Sequence, residues 1–164
     1  MAYEEMIDIL AQLKAYLVTA GQFETALLAI ETARTVTIAR PTEYAFVEAK
    51  SHQYPLIEFL AVQTVPDYLG EDGAACRGFD YHYVDMIAYH SSNDRETVRS
   101  TLLYYALAIA DVIAADFTFG DRFNRVRRAT TDYSDMFQSE DTKSYLQIMR
   151  RRIEIRQTFE EGSN

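Results

Sequence analysis

The sequence predicts an α+β fold in which one antiparallel β-sheet is flanked by helices. Apolar residues recur at helical spacing near the N-terminus and again after residue 93, whereas β-branched and aromatic runs lie between and after these two stretches. With 164 residues, of which 48% are apolar, the chain is long enough to bury one core. We therefore expect a single domain over residues 1–159 and a flexible tail over residues 160–164.

The N-terminal region predicts two helices. Between Tyr3 and Val18, apolar residues repeat at steps of three and four, which is typical of a helix that buries one face. Gly21 closes this helix, and a second helical pattern follows from Phe23 to Arg34. The apolar positions of the first helix are Met6, Ile7, Leu10, Leu13, Leu17 and Val18.

After Pro41 the pattern changes to strands. Residues 44–47 and 55–63 are short apolar runs that we expect to be neighbours in one sheet. Residues 67–78 are rich in glycine and acidic residues and predict an exposed loop. A long strand follows over residues 79–89. We expect its aromatic side chains to pack as core beneath a helix rather than to form a base-stacking platform, and these are Phe79, Tyr81, Tyr83 and Tyr89.

A long helix is predicted after Asn93, because a capping residue is followed three places later by Glu96. Its apolar stripe runs to Ala115. Residues 117–121 then turn the chain, and residues 123–133 and 143–159 predict two strands joined by residues 134–141. The stripe consists of Val98, Leu102, Tyr105, Ile109, Val112 and Ile113.

Charge is distributed unevenly along the chain. Residues 1–121 carry 7 basic against 18 acidic side chains, whereas residues 122–156 carry 9 against 5. A chain with net charge −9 is a poor general binder of duplex DNA, because affinity for DNA comes mainly from lysine and arginine. The acidic N-terminus and the lack of a long apolar run argue against secretion and membrane insertion, and the lone Cys76 favours a reduced cytoplasm.

Catalytic patterns are not evident. The sequence has none of the HExxH, GxxxxGK[ST], GxGxxG or GxSxG motifs. Cys76 has no histidine near it in sequence, and Asp80 and His82 fit the solvent-facing side of a strand. Asp111 and Asp116 are about 140° apart around a helix and fit solvated edges. We therefore predict no catalytic, cofactor-binding or metal-binding residues and no enzymatic activity.

Three consecutive arginines interrupt the last strand. In a strand, Arg150 and Arg152 point to one face and Arg151 points to the other, so at least one lies on the side that is normally buried. Two interpretations remain open. Either the strand end projects into solvent, or these side chains pair with an acidic patch on another subunit.

The order of elements resembles the tail terminator or tail completion proteins at the neck of long-tailed bacteriophages. The resemblance extends from Tyr44 to Phe159 and rests on the aromatic strand FDYHYVDMIAYHSSNDRETV, the Tyr/Ala/Leu-rich helix with its TFG turn, the TDYSDMF stretch and the closing strand SYLQIMRRRIEIR. It implies a structural virion protein, assembled in the host cytoplasm, that forms a six-fold ring on the tail tube. Such a ring ends tube growth and joins the tail to the head connector, while DNA passes through its lumen without sequence-specific binding.

The implied partners are further copies of the chain, the tail tube protein and a head-closure or connector protein, with no membrane. The alternatives are another neck component and, from other classes, a small nucleic-acid-binding module or a small enzyme or ligand-binding domain. Apolar residues in two polar loops and the three arginines are the candidate contacts, namely Tyr68, Leu69, Tyr133, Met136, Phe137, Arg150, Arg151 and Arg152.

Overall fold

A computed structural model describes residues 2–46, 53–72 and 75–162. Its helices are α1 (Ala2–Lys14), α2 (Gln22–Arg34) and α3 (Arg95–Ala115), with a short π-helix, Ala15–Thr19, directly after α1. Its strands are β1 (Glu43–Ala45), β2 (Leu56–Asp72), β3 (Ala75–Ser92), β4 (Arg125–Tyr133), β5 (Phe137–Gln138) and β6 (Tyr145–Gly162).

The six strands form one sheet in the order β1-β2-β3-β6-β4, with β5 paired to β6. All pairs are antiparallel except β1 with β2, which is parallel. The predicted α+β class is thus confirmed, with a mixed sheet in place of a wholly antiparallel one.

Helix α3 forms the centre of the core. It begins at the predicted place, although Asp94 rather than Asn93 caps it, through a 3.1 Å hydrogen bond from the backbone N–H of Glu96. All six predicted stripe residues are buried. The helix is long and apolar enough to cross a membrane by composition, with a mean hydropathy of 1.4, but half of that stretch is buried within the fold. This is also the pattern of a core helix.

The N-terminal helices lie where the sequence predicts them. Gly21 adopts a left-handed conformation between them, with φ of 71°. The buried face differs in detail, because Ile9 and Tyr16 point inward while Ile7 is 55% exposed. The π-helix that follows α1 brings Tyr16 and Leu17 into the core.

The turn after α3 is organised by Asp116. Its Oδ1 accepts hydrogen bonds from the hydroxyl and the backbone N–H of Thr118, at 2.6 and 2.9 Å. Its Oδ2 accepts from the N–H of Gly120 at 2.6 Å and from the hydroxyl of Tyr16 at 3.2 Å. Asp116 is thus half-buried at the edge of the helix and holds the turn together, whereas Asp111 is exposed as expected.

The loop predicted over residues 67–78 is a β-hairpin. β2 continues to Asp72 and β3 starts at Ala75, so Tyr68 and Leu69 lie within a strand near the tip of the hairpin. Glycines that suggested a loop are accommodated in the ladder, where Gly78 pairs with Tyr68 and a register shift precedes Gly70. Glu160–Gly162 also pair with β3, whereas the tail prediction for residues 163–164 falls outside the described residues.

Candidate assembly surface

The strand register assigns each side chain to one of two sheet faces. β3 residues at even positions pack with the helices, and Val84, Met86 and Ala88 belong to the core cluster. The odd positions therefore point away from the helices. We call the side of β2, β3, β6 and β4 that carries these odd positions the open face, because no described helix covers it.

The aromatic strip of β3 lies on the open face. Phe79, Tyr81, Tyr83 and Tyr89 are each only partly buried, so the prediction that they pack beneath the long helix was wrong. The reason is volume, because α2 and α3 already fill the core with Phe23 and Tyr105 and leave room only for smaller side chains on β3. Two of the exposed hydroxyls reach carboxylates, Tyr89 to Glu58 at 3.3 Å and Tyr83 to Glu154.

Ion pairs lie between these aromatic rings. Asp85 accepts two hydrogen bonds from Arg152, at 2.9 and 3.2 Å, and this hydrogen bonding to Asp85 raises the pKa of the guanidinium. Glu154 pairs with Arg127, with a 3.0 Å hydrogen bond from Nη2.

At the β4 side of the same face, Arg150 Nη2 lies 3.0 Å from Asp132. Each of these arginines faces a carboxylate across the strands. The centre of the open face is thus aromatic and charge-balanced, while Arg125 and Arg156 face each other at its β4 end without a paired carboxylate in the described residues. The balanced centre suits contact with protein better than contact with phosphates.

Two edges of the sheet carry unpaired strand residues in the described part. β1 pairs only with Leu56–Glu58, which leaves the rest of β2 as an edge, and β4 forms the opposite edge. Val62 and Val65 on β2 are 41% and 42% exposed. A groove of about 650 Å³ separates this edge from α1. Free edges of this length are sites where another chain can add a strand.

The β4 edge is basic. A second groove, of about 720 Å³, lies between α3 and β4 and is lined by Leu107 and Phe117 together with four arginines. These are Arg125, Arg127, Arg128 and Arg156. At the opposite edge of the sheet, formed by β2 beside α1, Asp67 of β2 and Asp8 of α1 are exposed acidic residues.

The three consecutive arginines divide between the faces as predicted. Arg150 and Arg152 are on the open face, and Arg151 is on the helix side, opposite Met86. Arg151 is only 8% exposed. Burial lowers its pKa, and the nearby Arg128 lowers it further.

The other predicted contact residues are spread over the sheet. Tyr133 ends β4 and Phe137, 56% exposed, lies in the short strand β5, so part of the predicted joining loop is a strand. Met136 precedes it and is partly buried. The side chains of Tyr68 and Leu69 fall outside the described residues. Their role as contacts stays a prediction.

Histidine, cysteine and acidic side chains are the residue types that could hold a metal ion or take part in catalysis. The residues that the structure describes contain no cluster of three or more histidine, cysteine or acidic side chains that could hold a metal ion. His82, predicted to face solvent, is buried on the helix side with its Nδ1 2.9 Å from the hydroxyl of Thr64. The side chain of Cys76 falls outside the described residues.

No protein-family model matches the chain, and no curated protein matches it. Among solved structures, the chain is similar to one in the virion of a native gene transfer agent particle. That alignment covers 69% of this chain and 77% of the other, at 9% identity and a TM-score of 0.28. At these values the likeness is a weak one of shape.

Proposed function

We propose that this protein is a structural virion protein of a phage-like particle, in which several copies form a ring at the neck. The ring would cap the tail tube, end its growth and join it to the head connector. Six copies and this position are what the sequence resemblance implies. The observation that carries the proposal is the open face, a broad aromatic surface whose central arginines are paired with carboxylates and which has no described helix over it.

A sheet face of this kind is unusual in a protein that works alone. Domains normally bury both faces of a sheet that carries large apolar side chains, because exposed apolar patches favour association. Here the aromatic strip and Ile87, Ile148 and Leu60 are all partly exposed on one side. A partner that covers them would gain apolar burial and would find few unpaired charges to desolvate.

The two sheet edges provide a route to a ring. They lie at opposite ends of the strand order. The β4 edge is basic and the β2 edge with α1 is acidic, so the β4 edge of one copy is complementary to the β2 edge of the next. A contact between two different surfaces is heterologous, and it closes into a ring when the rotation between copies allows it. Salt dependence of assembly would follow from the charges.

The charges of the chain also fit a ring through which DNA passes without being bound. The chain carries a net charge of −9, and the open-face arginines Arg127, Arg150 and Arg152 are engaged by carboxylates. A lumen lined by such a chain has little attraction for phosphates. The proposal therefore includes no DNA recognition.

One observation favours a second candidate function, the binding of single-stranded nucleic acid. The aromatic strip faces outward, and Arg156 lies 4.5 Å over the ring of Phe79, an arrangement seen in stacking platforms. A titration with single-stranded DNA at low salt separates the two functions. A binding constant that falls steeply with salt would support the platform, and the absence of binding would leave the assembly role.

The neck role is tested by deleting the gene from the genome that encodes the particle and measuring the length of the tail tubes by electron microscopy. Loss of a tube terminator gives tubes of uncontrolled length, and a plasmid copy restores the normal length. Tubes of normal length joined to heads would contradict the proposal. Tubes of normal length that fail to join heads would indicate a head-closure or adaptor role instead.

A further inference from the structure

Arg151 is a buried cation without a described partner. It is 8% exposed and makes no hydrogen bond or ion pair with any residue in the described part of the chain. Its Nε is fully buried and unpartnered, whereas the two terminal nitrogens are not among the fully buried atoms. The guanidinium therefore has its outer end available to a group from outside the subunit.

Such an arrangement is unfavourable for the isolated subunit. A guanidinium loses hydration when it is buried, and a hydrogen-bonded acid normally compensates for the loss. Arg152, the next residue, has such a partner in Asp85, and Arg40 has two in Glu24 and Glu31. Arg151 instead has a second cation, Arg128, as its charged neighbour.

The neighbours of Arg151 add donors to the same place. Thr131 of β4 lies directly opposite Arg151, and Tyr133 and Arg128 lie on either side of it along the same strand face. Arg128 and Tyr133 are exposed, and Arg128 also lines the groove between α3 and β4. Arg151, Arg128 and Tyr133 thus form a cationic, donor-rich corner at the β4 edge, which we call the β4 corner.

We infer that the β4 corner is an anion-binding site that receives a carboxylate from a second copy of this chain. The inference rests on the proposed function and names the group that the β4 edge would bind. Two arginines and a hydroxyl match the acceptors of a carboxylate. The acidic portion of the same chain, residues 1–121 with 18 acidic side chains against 7 basic ones, supplies the carboxylate when copies meet head to tail.

A carboxylate is preferred over a DNA phosphate because of the surroundings of the corner. Asp111 lines the adjacent groove and the net charge of the chain is −9, which weakens the attraction that the four groove arginines exert on a polyanion. A protein segment brings one carboxylate together with apolar surface, and the groove offers Leu107 and Phe117 for that surface. The corner therefore fits a protein carboxylate.

The substitution Arg151→Met tests the site, because methionine has similar volume and no charge. Sedimentation velocity at about 50 mM salt measures self-association, and thermal unfolding in about 0.5 M salt measures the stability of the dissociated subunit. We expect Arg151→Met to weaken self-association by about tenfold or more and to raise the melting temperature. Arg151→Lys keeps the charge but lacks the planar guanidinium fork, so its self-association should lie between that of wild type and that of Arg151→Met.

Arg99→Met is the matched control, since Arg99 is exposed on α3 and its loss changes the net charge equally. It should change association by less than about threefold. If wild-type protein assembles and Arg151→Met assembles equally well, the carboxylate site is wrong while the proposed function stands. If wild-type protein never assembles, the proposed function itself fails. Binding of a short DNA duplex that Arg151→Met abolishes would overturn the choice of a protein carboxylate.

Discussion

Arg152 and Asp85 face each other across β6 and β3, and their side chains form a two-point ion pair, with Nε to Oδ1 at 2.9 Å and Nη2 to Oδ2 at 3.2 Å. Asp85 is buried, although it lies on the open face. Neighbouring side chains therefore shield part of this face even in the single subunit. The pair fixes the centre of the surface that we propose for assembly.

Asp85→Ala should destabilise the subunit. The substitution leaves the partly buried Arg152 without its acceptor, and an unmatched charge of this kind costs about 1–3 kcal/mol. Urea unfolding measures the difference in the free energy of unfolding. The double variant Asp85→Ala with Arg152→Met should recover part of the loss, because both charges are then gone. Equal stability of Asp85→Ala and wild type would show that the pair contributes nothing.

His90 should make stability depend on pH near neutrality. Its ring is buried with neither nitrogen hydrogen-bonded to a described residue, and burial lowers its pKa below 6.5. The unfolded chain then binds a proton more readily than the folded one, so the free energy of unfolding falls as pH drops below about 6.5. Urea unfolding between about pH 8 and pH 5 measures this slope.

His90→Leu removes the titrating ring and should flatten that slope. The carboxylates with strongly lowered pKa values, Glu31 and Asp116, both at about 2, titrate at lower pH and do not obscure it. An unchanged slope in His90→Leu would assign the pH dependence to other groups.

Asp116→Ala should weaken the turn after α3 in a pH-dependent manner. The Thr118 hydroxyl, the N–H groups of Gly120 and Thr118 and the Tyr16 hydroxyl lower the pKa of Asp116 to about 2. A lowered pKa stabilises the fold above the unfolded value of 3.8, and this contribution is lost as pH falls toward 2. The variant should therefore unfold more easily than wild type at neutral pH, with the difference shrinking in acid. A difference that is constant with pH would contradict this.

Val62→Lys should separate assembly from folding. Val62 is exposed on the free part of β2, so a lysine there changes stability by only about 0.5 kcal/mol. The same lysine disfavours addition of a neighbouring strand and should weaken self-association by about tenfold or more. Leu28→Lys, at an exposed position of α2, serves as the control and should associate like wild type. Equal association of both variants and wild type would exclude this edge from the interface.

The sequence predicts where the helices and strands lie better than it predicts which side of each strand is buried. The stripe of α3 is unambiguous because its apolar positions repeat over about four turns, and every one of them is buried. β3 is apolar on both faces, so periodicity alone does not select one. The choice depends on how much space Phe23 and Tyr105 leave, and that is a property of the packed core.

Two features of the candidate surface also show what the sequence predicts and what only the packed structure decides. Strand parity predicts that Arg151 points away from Arg150 and Arg152, and the register confirms it. The hairpin at residues 67–78 is missed because glycine and acidic residues favour loops locally, whereas pairing of β3 on both sides, with β2 and with β6, extends the strands through them. Tertiary pairing decides this segment, and local composition carries no signal of it.

The mass of the protein in solution, measured by light scattering over a range of concentrations at low salt, tests the central claim most directly. Self-assembly into a closed ring predicts one defined species well above the 18.8 kDa of a single chain, at about 113 kDa for six copies, that dissociates as salt is raised. A mass of 18.8 kDa at every concentration would contradict the account.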